Sequence, residues 1–122
     1  MTARLAATLG ALFGGVAVAL GAFGAHALKT RLEPRDLEIF ETGVRYQMYH
    51  ALALLAAAWL LDKGISQGTG AAWGFTIGTM IFSGSLYLMV FTGQRWLGAV
   101  TPIGGVALIV GWAMLVAAAR RV

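Results

Sequence analysis

Residues 5–28 read LAATLGALFGGVAVALGAFGAHAL, a run with no charged side chain, bounded by Arg4 and Lys29. An apolar run of roughly 18 or more residues is long enough to cross the hydrocarbon of a bilayer as a helix. Three further charge-free runs follow, from Tyr46 to Leu61, from Gly64 to Gln94 and from Trp96 to Ala119. Of the 122 residues, 59% are hydrophobic and 11% charged, whereas a soluble domain carries about 25% charged residues. This chain has too little polar surface to face water on all sides. The pattern predicts an all-α fold in one domain, residues 1–122: an integral membrane four-helix bundle with spans at about 5–28, 46–61, 71–91 and 97–119.

Small residues recur within the spans. Gly10 and Gly14 stand four apart in the first, and Gly21 continues their row; Gly70, Gly74 and Gly78 repeat the spacing in the third. Lipid gives helices no hydrophobic reason to associate, so small residues that let backbones approach closely mark packing faces. These glycines are expected to pack helices.

The polar stretch between the first two spans, Lys29 to Arg45, contains charges that sum to zero. Pro34 suits a first helical turn, where its missing N–H does no harm. Asp36 and Glu38 then face the positive end of the helix dipole. Leu37, Phe40 and Val44 share one face, and Glu41 precedes Arg45 in the favourable i,i+4 order. The segment reads as a short amphipathic helix at the membrane interface, or as a watery extension of the second span. Pro102 falls within the first turns of the fourth span, where proline is tolerated. Trp59, Trp73 and Trp96 lie near span ends, as an aromatic belt requires.

The net charge of +4 comes from basic residues flanking the spans, a pattern of lipid headgroup contact and not of nucleic-acid binding. Arg4, Lys63, Arg120 and Arg121 fall on one side, and Lys29, Arg31, Arg35, Arg45 and Arg95 on the other. That near balance does not fix the orientation, although the flanks of the first span favour a cytoplasmic 29–45 segment. Ala25-His26-Ala27 imitates a signal-peptide cleavage site, but the apolar run before it exceeds the usual length of such a leader. There is no cysteine, which excludes disulfides and thiolate metal sites.

Two histidines carry the most chemical interest. His26 closes the first span and His50 lies about a turn into the second, with Tyr46 and Gln47 beside it. In an antiparallel pair both histidines fall toward one membrane face. Intramembrane ionisable groups are costly and often functional, and a histidine pair could hold a haem, line a quinone pocket or relay protons. The plainer reading is a pair of neutral histidines bonded to nearby carbonyls. Ser83, Ser85, Tyr87, Thr92 and Thr101 form a polar set that reads first as interhelical bonding. No metal-binding, nucleotide-binding or triad motif is present. No acidic residue lies within a span, which argues against a proton-coupled exporter of cations.

Several of these stretches occur together as a set: Gly21-Ala22-Phe23-Gly24-Ala25-His26-Ala27-Leu28, Phe40, Thr42, Tyr46-Gln47, His50-Ala51-Leu52, Phe82-Ser83-Gly84-Ser85-Leu86-Tyr87, Thr92-Gly93, and Leu97-Gly98 through Thr101-Pro102-Ile103-Gly104-Gly105 to Gly111-Trp112. In this the chain resembles, over nearly its whole length, the YgdD-like family of small bacterial inner-membrane proteins, a domain of unknown function with eukaryotic relatives. The resemblance implies a helical, multi-pass protein of the bacterial inner (plasma) membrane. It implies no enzyme activity, substrate or cofactor.

The functional expectation is a non-enzymatic membrane assembly or accessory protein, with the lipid bilayer, a second copy or another membrane protein as partner and no cofactor. Two alternatives stand beside it. One is a binder of haem, quinone or lipid at His26, Tyr46, Gln47 and His50. The other is a small channel or transporter lined by Ser83, Ser85 and Thr101.

Overall fold

The computed structural model describes residues 1–122. Four helices run antiparallel in chain order: α1 (Ala3–Phe23), α2 (Pro34–Asp62), α3 (Gly68–Thr92) and α4 (Thr101–Ala119). Thr2 caps α1, its hydroxyl accepting from the Leu5 N–H at 3.1 Å. Gly64 and Gly93 follow α2 and α3 with φ of +80° and +72°, the left-handed geometry that ends a helix and that glycine adopts without strain.

Three segments are long and apolar enough to cross a membrane: Ala3–Leu28, Gly68–Thr92 and Arg95–Ala119. α2 differs because its first turns carry Arg35, Asp36, Glu38, Glu41 and Arg45. It is nevertheless an inner helix. Ten residues of α2 and twelve of α3 are buried, against three of α1 and five of α4. The outer helices therefore flank a central α2–α3 pair.

Close approach at glycine builds the seams. A Cβ on Gly10 would stand 2.9 Å from the Ala51 carbonyl, and Gly14 and Gly21 face Ala51 and Val44. On the other side, a Cβ on Gly74 would meet Gly111 Cα at 2.8 Å, and one on Gly78 would meet Leu108 at 2.7 Å. Gly70 faces the end of Met114. Dispersion between closely packed atoms holds these seams, because lipid tails are as apolar as leucine. α1 packs along α2 and α4 along α3, but α1 and α4 share no packed seam. The bundle is thus an open row, zigzag in section, and not a closed ring.

Two expectations about the polar stretch need correction. Of the two readings of the polar stretch, the extension of the second span holds and the separate interfacial helix does not: Pro34–Asp62 is one continuous helix of 29 residues, because Phe40, docked against Gly24, holds its first turns to the bundle. Glu41 and Arg45 form no ion pair; Arg45 reaches Thr42 at 3.3 Å, as exposed pairs in water often prefer other partners. Asp36 instead pairs with Arg95 at 3.1 Å across the row. The fourth span holds its expected place within Arg95–Ala119. A 3-10 turn, Arg95–Ala99, precedes α4, and Pro102 sits in the first turn of α4, where its missing donor is harmless. The first span likewise holds its place within Ala3–Leu28, and its last turn, Gly24–Leu28, is π-helical around His26.

Candidate functional site

An open row leaves a gap wherever two helices lie next-but-one. The first gap lies between α2 and α4, with Phe82 of α3 at its floor. It is a groove of about 650 Å³ lined by Tyr46, Tyr49, His50, Leu52, Phe82, Gly105, Leu108, Ile109 and Trp112. Tyr46 stacks on Phe82 with centroids 4.7 Å apart. Phe75 meets Trp112 edge to face at 5.1 Å.

His50 holds this groove in shape. Trp112 can only donate, and its Nε1 lies 3.0 Å from His50 Nε2. Nε2 must then carry the lone pair, so Nδ1 carries the proton and donates to the Tyr46 carbonyl at 2.6 Å. Both ring nitrogens of this buried, neutral histidine are engaged. A metal at Nε2 would have to displace Trp112.

The second gap lies between α1 and α3, with α2 at its floor. This groove of about 480 Å³ is lined by Leu12, Phe13 and Val16 of α1, Gln47 of α2, and Thr79, Met80, Ser83, Gly84 and Tyr87 of α3. Gln47 joins all three helices: its amide nitrogen donates to the Phe13 carbonyl at 2.9 Å, and its oxygen accepts from Tyr87 at 2.8 Å. Ser83 donates to the Gly43 carbonyl at 2.7 Å. A Cβ on Gly43 would sit 2.7 Å from the Tyr87 ring, so glycine lets that ring lie flat on α2. Thr79 is buried, yet its hydroxyl has no partner.

The four candidates from sequence are therefore divided. Tyr46 and His50 enter the α2–α4 groove, and Gln47 enters the α1–α3 groove. His26 enters neither and is exposed in the π-helical turn. The grouping of His26 with His50 is corrected by register. Gly24 packs on Phe40, so His50 lies ten residues farther along α2, about 15 Å away at 1.5 Å per residue. A haem held between the two histidines has no support in this geometry. Ser83, Ser85 and Thr101 do not line one path either: Ser83 bonds to α2, whereas Ser85 and Thr101 bond to each other at 2.6 Å in the α3–α4 seam. Sequence reasoning missed Trp112, Phe82 and Thr79 as groove residues. Trp112 had a usable signal, since an indole N–H in the middle of a span needs an acceptor.

Comparison with known proteins agrees with this membrane architecture. The family described as "Protein of unknown function (DUF423)" matches residues 20–105. The UPF0382 membrane protein YwdK of Bacillus subtilis is 50% identical over 115 residues, covering 93% of this chain and 94% of that protein. The UPF0382 inner membrane protein YgdD of Escherichia coli K12 is 37% identical over 127 aligned positions, covering 99% of this chain and 93% of YgdD. No solved structure matches the chain. With half of its residues shared with one relative along almost the whole chain, and with several long apolar helices in place, this is a multi-pass protein of the bacterial inner (plasma) membrane that belongs to the UPF0382 (DUF423) family.

Proposed function

We propose that this protein is a non-enzymatic accessory protein of the membrane that retains a flat, apolar molecule of the bilayer in the groove between α2 and α4. All four helices cross in this reading, α2 by its Tyr46–Leu61 portion. The observation that carries it is the aromatic frame: Tyr46 on Phe82 along one side and the His50–Trp112 bond along the other, around about 650 Å³ of open space. That volume falls within the range of small-molecule sites, roughly 300–1,000 Å³. Rigid rings on a locked histidine present a preformed face, which lowers the ordering cost of binding. The glycine rows expected to pack helices are occupied by α2 and α4 of the same chain.

Gly105 gives the test. A Cβ there meets only the Phe82 ring, at 3.8 Å, so Gly105→Leu fills the groove without displacing a helix. The protein is purified gently from its own membrane and its bound small molecules are extracted and identified. A ring compound present in the wild type and depleted in Gly105→Leu supports the reading. The same compounds in the same amounts from both proteins overturn it.

A second reading, a homo-oligomer, has one feature in its favour. Ala11, Gly15 and Ala19 form a small-residue row on the exposed face of α1, and nothing lies within 4 Å of a Cβ at Gly15. Light scattering in detergent on wild type and Gly15→Leu decides it: a dimer lost in the variant supports an α1–α1 contact, and a wild-type monomer removes it.

A further inference from the structure

We propose that the pocket where the start of α2, the end of α3 and the Arg95–Ala99 turn meet holds the phosphate of an anionic phospholipid between Arg35 and Arg95. The pocket has a volume of about 550 Å³ and is lined by Arg35, Ile39, Met89, Arg95 and Gly98. Guanidinium groups from distant parts of the chain thus face one space. The α2–α4 groove has no arginine, lysine or carboxylate in its lining, so this site is separate from it and does not depend on it.

The charge balance defines what is missing. Asp36 is the one carboxylate that pairs with either arginine. Its Oδ1 accepts from both terminal nitrogens of Arg95, each at 3.1 Å. An exposed ion pair adds little stability; what this one does is fix the guanidinium plane at the pocket wall. Each terminal nitrogen of Arg95 keeps a second N–H. Arg35 forms no ion pair. Two positive charges against one negative leave an unbalanced cation beside the pocket. Like charges that share a space repel, and an anion set between them removes that repulsion. Guanidinium groups suit phosphate oxygens in particular, because their N–H donors bond them in pairs.

Position selects a lipid as the source of that phosphate. Thr92 ends one apolar span and Arg95 begins the next, so the turn between them lies at the membrane surface. Phospholipid phosphates occupy that level, just outside the hydrocarbon core. Trp96, beside Arg95, is 65% exposed, as a tryptophan anchored at the interface is. Ile39 and Met89 supply the apolar wall. Ile39 lies one turn beyond Arg35 along α2, and Met89 lies inside the third span, so both sit deeper than the arginines. A free phosphate would touch only the charged rim. A phospholipid also covers Ile39 and Met89 with its glycerol and the start of its acyl chains, the way basic pockets between membrane helices hold anionic headgroups. Arg120 and Arg121 also line a pocket, with Ala117, but they are neighbours at one helix end with no carboxylate to position them. They serve as the control.

The full chain in dodecylmaltoside is titrated with dioleoyl phosphatidylglycerol or dioleoyl phosphatidylcholine, with sodium phosphate as competitor, and bound lipid is counted by native mass spectrometry. Wild type should retain phosphatidylglycerol in preference to phosphatidylcholine. Arg35→Gln breaks no ion pair and should weaken phosphatidylglycerol binding about tenfold, the effect of one charge-assisted hydrogen bond. Gly98→Leu keeps every charge. A Cβ there meets only the Met89 sulfur, at 3.6 Å, so the leucine fills the pocket and should abolish the preference. The double variant Arg120→Gln, Arg121→Gln removes more charge and should bind as wild type does. Equal phosphatidylglycerol affinity in wild type and Arg35→Gln overturns the proposal, as does a wild type without the preference. An equal loss in the Arg120, Arg121 variant also overturns it, and assigns the preference to diffuse attraction. Displacement of the lipid by equimolar sodium phosphate overturns the lipid assignment and leaves a site for free phosphate.

Discussion

The two grooves are built from the same central helices and differ in how their polar atoms are treated. In the α2–α4 groove the buried histidine is satisfied on both sides, by Trp112 and by the Tyr46 carbonyl. In the α1–α3 groove Gln47, Ser83 and Tyr87 are satisfied and Thr79 is not. The first network is closed, and the second leaves one buried bond unmade. Membrane interiors sharpen the contrast, because no bulk water is present to complete an unfinished bond.

The comparison can be broken most severely at the seam that frames the first groove. A Cβ on Gly104 would lie 2.8 Å from Phe82 Cα, and backbone cannot yield as a side-chain tip can. Gly104→Leu should force α4 away from α3, open the α2–α4 groove and destabilise the protein by about 3 kcal/mol. Steric-trapping unfolding in micelles measures this, and a wild-type unfolding midpoint would show that the seam is looser than described.

Next in size is the knot under the second groove. Gln47→Leu removes the bonds to Phe13 and Tyr87 together and leaves the Tyr87 hydroxyl unpaired in an apolar place, at a cost of about 2 kcal/mol. Tyr87→Phe, by contrast, removes the donor to the Gln47 oxygen and keeps the Gln47 bond to Phe13. Comparing the two stabilities separates the α2–α3 half of the knot from its α1–α2 half.

Trp112→Phe removes the donor to His50 while retaining most of the ring, and should cost about 1 kcal/mol. It should also free the His50 ring to adopt either tautomer, visible as changed ¹⁵N shifts of its imidazole by NMR. Unchanged shifts would mean that Trp112 does not set the tautomer. The smallest expected effect is that of Thr79→Val. With no bond to lose, its stability should fall within about 0.5 kcal/mol of wild type or slightly above. A substantial loss of stability would show that the hydroxyl has a partner after all.

Much of this architecture was legible in the sequence. The charge-free runs located the helices, and the glycine rows marked the close seams, since only backbone approach explains glycine every fourth residue within a span. Tyr46, Gln47 and His50 stood out correctly as polar residues within an apolar helix. Their assignment to different grooves was not legible. Gln47 and His50 differ by three positions, about 60° around a helix of 3.6 residues per turn. That small angle separates the two grooves only once the positions of α1 and α4 around α2 are known. His26 was misplaced for a related reason: the register of α1 against α2 follows from Phe40 docking at Gly24 and not from the ends of the charge-free runs. The polar row in α3 was likewise visible, but it turns around the helix, so Ser83 meets α2 and Ser85 meets α4.

The most direct test of the α2–α4 groove as a binding site is native mass spectrometry of the protein released from its own membrane, run in parallel on wild type and Gly105→Leu. The wild type should carry a bound mass that Gly105→Leu lacks. A wild type without bound small molecules, or a variant that retains every mass the wild type carries, would contradict a ligand in this groove.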